Sequence, residues 1–325
     1  MSQESIARRF GARSTTSDVL SGISLQGRVA VVTGATGGLG EETARALASV
    51  DAKVILAGRN VERGESVAEA IRNETGNPGA EFLRIDLADL KSVRQFAEGL
   101  RDRVDRVDIL INNGAVMACP FSRTVDGHEL QLATNHLSHF LLTIAVLPLL
   151  GAATNPRVVC VSSGAHWMGG VDLADLDYRE RSYEPWSAYG QSKTANALFA
   201  LELHRRFGNE GLLAYSLHPG AIHTELGRNV EASNAVPVPS ELMKTVPQGA
   251  ATQVWAATAP ELILHGGKYL EDCALGVERD GPTRESTALG VAPHARDAAS
   301  AEQLWDLSCE MIGIEVPSYG GRGGQ

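Results

Sequence analysis

The segment Arg28-Val29-Ala30-Val31-Val32-Thr33-Gly34-Ala35-Thr36-Gly37-Gly38-Leu39-Gly40 carries the reading of this chain. An apolar, β-branched run (Arg28–Val32) ends in a cluster of glycines, and a helical pattern (Leu39–Val50) starts at once. Gly34 suits a tight turn, Gly38 lets backbone approach a diphosphate, and Gly40 permits close helix–strand packing. The helix start then presents free N–H groups and the positive end of its dipole to phosphate. Glycines alone are as readily a flexible turn; the strand before and the helix after favour a dinucleotide loop.

Outward from this segment, short strands alternate with longer helical patterns, which predicts a parallel sheet covered on both faces. Strands are predicted at Arg28–Val32, Lys53–Ala57, Glu81–Ile85, Asp108–Ile111, Arg157–Val161 and Leu213–Leu217. A further strand at Gly267–Leu270 follows a helix over Gln248–Ala257. Helices are predicted at Leu39–Val50, Val61–Asn73, Lys91–Arg103, Leu130–Leu149 and Ser187–Phe207. Near-continuous apolar strands such as Val54-Ile55-Leu56-Ala57 suit burial on both sides. The fold class is therefore α/β: a Rossmann-type, doubly wound parallel sheet of about seven strands with helices on both faces, as one domain. Residues 1–27 read as an extended N-terminal arm, 28–313 as the domain, and 314–325 as a flexible tail. Stretches 164–186 and 221–247 interrupt the repeat; they hold Trp167, Met168, Tyr183 and Trp186, and read as substrate loops.

A length of 325 residues with 43% hydrophobic and 21% charged content supports a large core. The net charge of -10 argues against nucleic acid or an anionic membrane as partner, since phosphate-rich surfaces need clustered Lys and Arg. Cys119, Cys160, Cys273 and Cys309 are far apart in sequence, which predicts no disulfide, no thiolate metal site and a reducing compartment. His136 and His139 lie in an apolar helix without an acidic third ligand, so they read as packing residues, and no metal is predicted. The longest apolar stretch, Phe140–Leu150, is too short to span a bilayer and residues 1–27 lack an apolar run. The cytoplasm is the expected location, with no membrane anchor.

At the end of the second strand an NAD site usually carries a carboxylate for the ribose 2′-hydroxyl. Here the residues are Ala57-Gly58-Arg59-Asn60. A guanidinium suits a 2′-phosphate, which favours NADP(H) with NAD(H) as the alternative. The competing reading is a solvated Arg59 ahead of a helix cap at Asn60. Further on, Tyr189 and Lys193 fall one helical turn apart on one face. A phenol has a pKa near ~10, and a neighbouring ammonium stabilises its anion and lowers that value. Ser162 and Ser163 end the strand Arg157–Val161, at the edge where α/β sheets bind ligands. A hydroxyl there can stabilise a carbonyl oxygen as it gains charge, or simply begin a loop. Asn135 is an amide inside an apolar helix, which either anchors a water or a carbonyl in a proton path or bends the helix.

Taken together, Thr33–Gly40, Asn112-Asn113-Gly114-Ala115, Asn135, Ser163, Tyr189/Lys193 and His218-Pro219-Gly220 resemble the short-chain dehydrogenase/reductase family over about residues 16–313. Ala57–Asn60, Thr134–Phe140, Gln248–Thr252 and Gly267-Lys268-Tyr269 resemble its branch of retinol dehydrogenases and the WW-domain-containing oxidoreductase. The resemblance implies that Tyr189 is the general acid/base and that Lys193 lowers its pKa while binding the nicotinamide ribose. It implies that Ser163 polarises the substrate oxygen and that Asn135 sustains a water-linked proton relay. For the cofactor it implies a diphosphate loop of Gly34, Thr36, Gly37, Gly38, Leu39 and Gly40, with Arg59 and Asn60 near the adenosine ribose. Asp86 and Leu87 would flank adenine, although Asp86 is equally a loop cap after its strand. Asn113, Gly114 and Ala115 would line the adenosine side, and Pro219, Gly220, Ile222 and Thr224 would seat the carboxamide.

Three positions depart from the family pattern. Asn112-Asn113-Gly114-Ala115 replaces Asn-Asn-Ala-Gly, Ser138 replaces a frequent glycine, and Gly37 stands where the branch often has Ser or Thr. The implied activity is an NADP(H)-preferring hydride transfer between nicotinamide and an alcohol or carbonyl (ketone or aldehyde) on a fairly apolar small molecule. The alternatives are C=C reduction of a conjugated substrate and a catalytically idle NADP-binding regulatory or scaffold protein. The complete Asn, Ser, Tyr and Lys set argues against idleness. Family members often pair through helices Leu130–Leu149 and Ser187–Phe207, so a homo-oligomer is open, with the insertions and C-terminal extension able to block it.

Overall fold

Alternating side chains on buried strands must satisfy two faces at once, and the sheet of this protein does so. A computed structural model of the chain describes residues 9–230, 238–282 and 289–316. The strands are β1 (Val29–Thr33), β2 (Lys53–Gly58), β3 (Ala80–Arg84), β4 (Ile109–Asn112), β5 (Arg157–Val161), β6 (Leu213–His218), β7 (Ala221–Ile222), β8 (Met243–Lys244), β9 (Tyr269–Glu271) and β10 (Ala274–Leu275). The helices are α1 (Thr16–Leu20), α2 (Gly38–Ala48), α3 (Val61–Thr75), α4 (Leu90–Arg101), α5 (Leu130–Leu132), α6 (Ser138–Ala145), α7 (Leu147–Gly151), α8 (Pro185–Phe207), α9 (Val246–Thr258) and α10 (Ala298–Ile312).

The main sheet runs β10-β9-β6-β5-β4-β1-β2-β3. All its neighbours are parallel except the β9–β10 pair. The doubly wound architecture is as the alternation predicts, but it has eight strands rather than seven. The added strand is the two-residue β10, too short to leave a periodic signal. The seventh expected strand begins at Tyr269 rather than Gly267. On one face Val31, Ile55, Leu110 and Val158 join a core with α4, α6, α8 and α10. On the other, Ala30, Val32, Leu56, Ile111 and Val159 pack against α1, α2, α3 and α9.

Three regions differ from expectation. Residues 16–20 of the supposed extended arm are helical, held by a Thr15/Asp18 capping box, and Val19, Leu20 and Leu25 are buried. Residues 1–8 of that arm, 231–237 of the second insertion and 317–325 of the tail lie outside the described residues. The second insertion contains β7 and β8, which pair with each other. The expected continuous helix Leu130–Leu149 is divided into α5, a π-helical turn (Ala133–Leu137), α6 and α7.

The C-terminal helix α10 was not predicted. It begins at the cap Asp297, ends at left-handed Gly313, and lays Trp305 on the other elements. The Trp305 ring lies 4.9 Å from Phe140, 5.9 Å from Phe199 and 6.2 Å from Phe207. It thus covers the shared face of α6 and α8. Among the described residues no helix is long and apolar enough to cross a membrane.

Candidate active site

The order of the sheet reverses between β1 and β4, and the loops leaving these two strands meet at their C-terminal edge. A Cβ on Gly34 would come within 2.7 Å of the Gly114 Cα, and one on Gly40 would strike the Gly34 carbonyl. These glycines are therefore fixed by backbone packing. Gly114 also explains the reordered Asn-Asn-Gly-Ala segment, because a Cβ there would meet Leu87 Cδ1 at 2.6 Å. Thr33 ties the two loops: its hydroxyl oxygen accepts the N–H groups of Asn113 (2.9 Å) and Gly114 (3.0 Å). The Asn113 amide donates back to the Thr33 carbonyl at 2.8 Å. Ser138 donates to the Leu87 carbonyl at 2.6 Å, so this departure from the family pattern fastens α6 to the loop after β3.

Helix α2 begins at left-handed Gly38, and its cap residue Gly37 supplies no side-chain hydrogen bond. Its first N–H groups are thus not capped by a side chain of Gly37, as a diphosphate site requires. The loop after β6 lies directly above: a Cβ on Gly38 would meet the Thr224 methyl at 3.3 Å. Thr224 itself caps the 3-10 helix Glu225–Asn229, and Ile222 packs with Leu39 against Gly249. Gly220 is left-handed at φ 98° and lies against the side chain of Lys244 on β8. Asp86 accepts the Ala88 N–H at 3.0 Å, which realises its loop-cap reading. Asn60 caps α3 through the Arg63 N–H, Thr36 lies under Gly58, and Arg59 is exposed at the rim.

Ser163, Tyr189 and Lys193 converge at the end of β5. Tyr189 is buried, with the Trp186 ring 5.9 Å away and nearly perpendicular. Lys193 Nζ lies 5.6 Å from the Tyr189 ring centre and donates to the Val161 carbonyl at 3.0 Å. The Ser163 hydroxyl oxygen accepts the Ala165 N–H at 3.1 Å, capping the 3-10 helix Gly164–Met168. Ser162, the other serine of the pair, faces away and donates to the Lys193 carbonyl at 2.7 Å.

Asn135 sits in the π-helical turn and its amide is fully engaged. It accepts the Val116 N–H and donates to the Val116 carbonyl, both at 2.9 Å, and donates to the Ser192 hydroxyl at 2.9 Å. The side chain thus fastens the loop after β4 to the helix carrying Tyr189.

A family model of short chain dehydrogenases matches residues 28–235. The chain belongs to the short-chain dehydrogenase/reductase family. It is 42% identical over 293 residues to retinol dehydrogenase 12 of Homo sapiens, covering 90% of this chain and 88% of that protein. The crystal structure of an uncharacterized protein from Mycobacterium Paratuberculosis superposes with a TM-score of 0.73 at 38% identity, covering 94% of this chain and all of that one. A short chain dehydrogenase from Escherichia coli CFT073 complexed with NADPH superposes with a TM-score of 0.61 at 25% identity, covering 76% and 97%. This member of the family is an oxidoreductase acting on CH–OH or C=O groups.

The electrostatics of this dehydrogenase differ from the simple Tyr/Lys argument. Burial pushes the Tyr189 phenol up to about 12, against a hydrogen bond from Ser163 that lowers it. Burial likewise pushes Lys193 down to about 7, against the pull of Cys160. Desolvation sets the direction of both shifts in the protein alone, because both groups lose water together.

Arg63 escaped the sequence reading, and His218 entered it only as part of a motif, without a role of its own. Arg63, on the first turn of α3, puts its guanidinium 3.0 Å from where a Gly37 Cβ would lie and pairs with Glu225 at 3.4 Å. Its spacing of four from Arg59 was the available signal. His218 Nδ1 accepts the Gly164 N–H at 3.0 Å and lies 3.4 Å from that of Gly220, linking the serine loop to the turn after β6. The first insertion is partly an anchor: the Tyr183 hydroxyl donates to the Cys119 carbonyl at 2.9 Å and receives the Gln131 amide at 2.7 Å.

Proposed function

We propose that this chain is an NADP(H)-preferring dehydrogenase/reductase that interconverts an alcohol and a carbonyl on a fairly apolar small molecule in the cytoplasm. The observation that carries the cofactor choice is the rim after β2, where Arg63 stands over the glycine loop, Arg59 is exposed, and Ala57–Asn60 carries no carboxylate. Two guanidiniums suit a 2′-phosphate and leave a 2′-hydroxyl without an acceptor. The NADPH complex of the Escherichia coli relative supports the same choice. Trp186 and the exposed Met168 give the substrate side its apolar character.

Bound nicotinamide supplies the hydride in reduction and accepts it in oxidation. Ser163, loaded by the Ala165 N–H, turns its own proton toward the substrate oxygen. In reduction Tyr189 gives its phenolic proton to that oxygen; in oxidation the phenolate takes it back. Lys193 stands behind Tyr189 to stabilise the phenolate. The Asn135 main-chain carbonyl, which accepts a hydrogen bond from the His139 ring, is the group that would hold the water of the relay. The same Tyr189 proton serves C=C reduction, which product analysis separates. A homo-oligomer on the α6/α8 face is not part of this reading, since α10 covers it.

The test is turnover of a ketone, aldehyde and alcohol panel followed by NADPH absorbance and repeated with NADH. Tyr189→Phe should lower kcat by about 10²-fold or more. A tenfold preference for NADH overturns the cofactor assignment, and near-wild-type turnover of the variant overturns the acid/base assignment.

A further inference from the structure

The surroundings of Ser163 contain a histidine that the chemistry above does not use. His166 follows three residues later in the 3-10 helix Gly164–Met168 and is fully buried. Its Nδ1 lies 2.7 Å from the Ser163 carbonyl and its Nε2 lies 3.1 Å from the N–H of Ala292. A carbonyl oxygen only accepts and an amide N–H only donates, so both contacts require one state of the ring: neutral, with its proton on Nδ1. The Tyr269 hydroxyl stands 3.4 Å from the same Ser163 carbonyl and 3.3 Å from Nδ1. His294 returns the link, donating from Nε2 to the His166 carbonyl at 2.9 Å.

The position of Ser163 explains why such a clamp matters. The Ser162 N–H makes a sheet-edge bond here, to the Leu217 carbonyl at 2.8 Å. Ser163 is extended (φ −166°, ψ 158°) just beyond the end of β5, and its carbonyl accepts the His166 main-chain N–H at 3.1 Å together with the side chains of His166 and Tyr269. Hydroxyl placement in an oxyanion site is sensitive to shifts of about 1 Å.

We propose that His166 is the positioning residue of Ser163: Nδ1–H holds the serine carbonyl so that the hydroxyl faces Tyr189, while Nε2 registers the C-terminal stretch Val291–Ala295 on the active site. The inference rests on the catalytic role of Ser163 given above. It makes His166 a joint between the serine and a segment more than a hundred residues away in sequence.

Two amide substitutions separate the halves of the joint. An asparagine amide can take the place of Nδ1 but cannot reach Ala292; a glutamine carbonyl can reach the place of Nε2 but removes the shortest bond on the serine carbonyl, leaving the main-chain N–H of residue 166 and the Tyr269 hydroxyl. In the full-length enzyme, His166→Gln should lower kcat about tenfold or more with substrate KM changed less than about threefold. His166→Asn should return kcat to within about threefold of wild type and raise KM instead. Equal kcat in the two variants, both folded by thermal melting, overturns the proposal.

A long-range 1H–15N spectrum of the wild-type protein tests the bonding without turnover or variants. The His166 ring should be protonated on Nδ1 and should not titrate between pH 5.5 and 8. An Nε2-protonated or titrating ring overturns the proposal even if the enzyme is active. An inactive wild type with the Nδ1 tautomer strikes the reaction assignment and leaves the joint standing.

Discussion

His139 donates through Nδ1 to the main-chain carbonyl of Asn135, 3.0 Å away, in the stretch where the helix widens into a π-turn. There the Ser138 N–H reaches back to the Ala133 carbonyl. The other nitrogen of the ring, Nε2, receives the hydroxyl of Thr33 at 2.8 Å, whose oxygen already accepts the N–H groups of Asn113 and Gly114. One neutral imidazole thus joins the loops after β1 and β4 to the backbone of Asn135.

Loss of that bridge should be measurable as stability. Replacing His139 with leucine orphans a buried carbonyl and a buried hydroxyl and should cost roughly 1–3 kcal/mol at pH 7.5. The acid side gives a second readout. Burial lowers His136 to about 3, and His139 and His166 to about 4. Their folded values lie below the unfolded one, so the unfolded chain binds protons first. Stability is complete above about pH 6.5 and falls as pH drops toward 4. His139→Leu should flatten this fall by up to about 1.4 kcal/mol per pH unit. Urea midpoints at pH 7.5 and 5 check it, and an unchanged slope refutes a neutral His139.

At the cofactor rim, Arg59→Ala and Arg63→Ala should each raise KM for NADPH about tenfold while leaving NADH nearly unchanged, since each removes a phosphate partner worth about 1–2 kcal/mol. Arg63 must exchange the exposed Glu225 for phosphate, so Glu225→Gln should lower KM for NADPH slightly. Equal losses with both cofactors point to a packing role instead.

The raised phenol makes a prediction about pH. Reduction uses protonated Tyr189, so the phenol should impose no fall on kcat/KM for a carbonyl at saturating NADPH from pH 6 to 9. Oxidation uses the phenolate, and its rate should rise with pH across the same range. A fall centred near pH 7 would report loss of the Lys193 proton, and a fall nearer pH 8 to 9 a phenol lowered in the bound state.

Trp305→Ala should destabilise the protein by about 3–5 kcal/mol, because the ring fills a pocket between Phe140, Phe199 and Phe207. The wild-type chain should sediment as a monomer with respect to the α6/α8 face. Substituting a charge, Trp305→Glu, should release α10 and expose that face to self-association. Sedimentation velocity distinguishes these outcomes, and a wild-type dimer through this face would contradict the arrangement.

Much of the fold was legible in the order of residues. Strand, glycine turn and helix at Arg28–Val50 are local, and so is the one-turn spacing of Tyr189 and Lys193; backbone propensity and periodicity report both directly. The C-terminal edges of β1, β4, β5 and β6 then bring the glycine loop, Asn113, Ser163 and Pro219 together through parallel topology. What needed the tertiary structure is of another kind. β10 is too short for a period to show, and the π-turn at Asn135 depends on partners at Val116 and Ser192. The placement of α10, of Arg63 over Gly37 and of His166 between Ser163 and Ala292 rests on contacts distant in sequence. The direction of the Tyr189 and Lys193 shifts was decided the same way, because desolvation is a property of everything packed around a group and not of the residue four positions along.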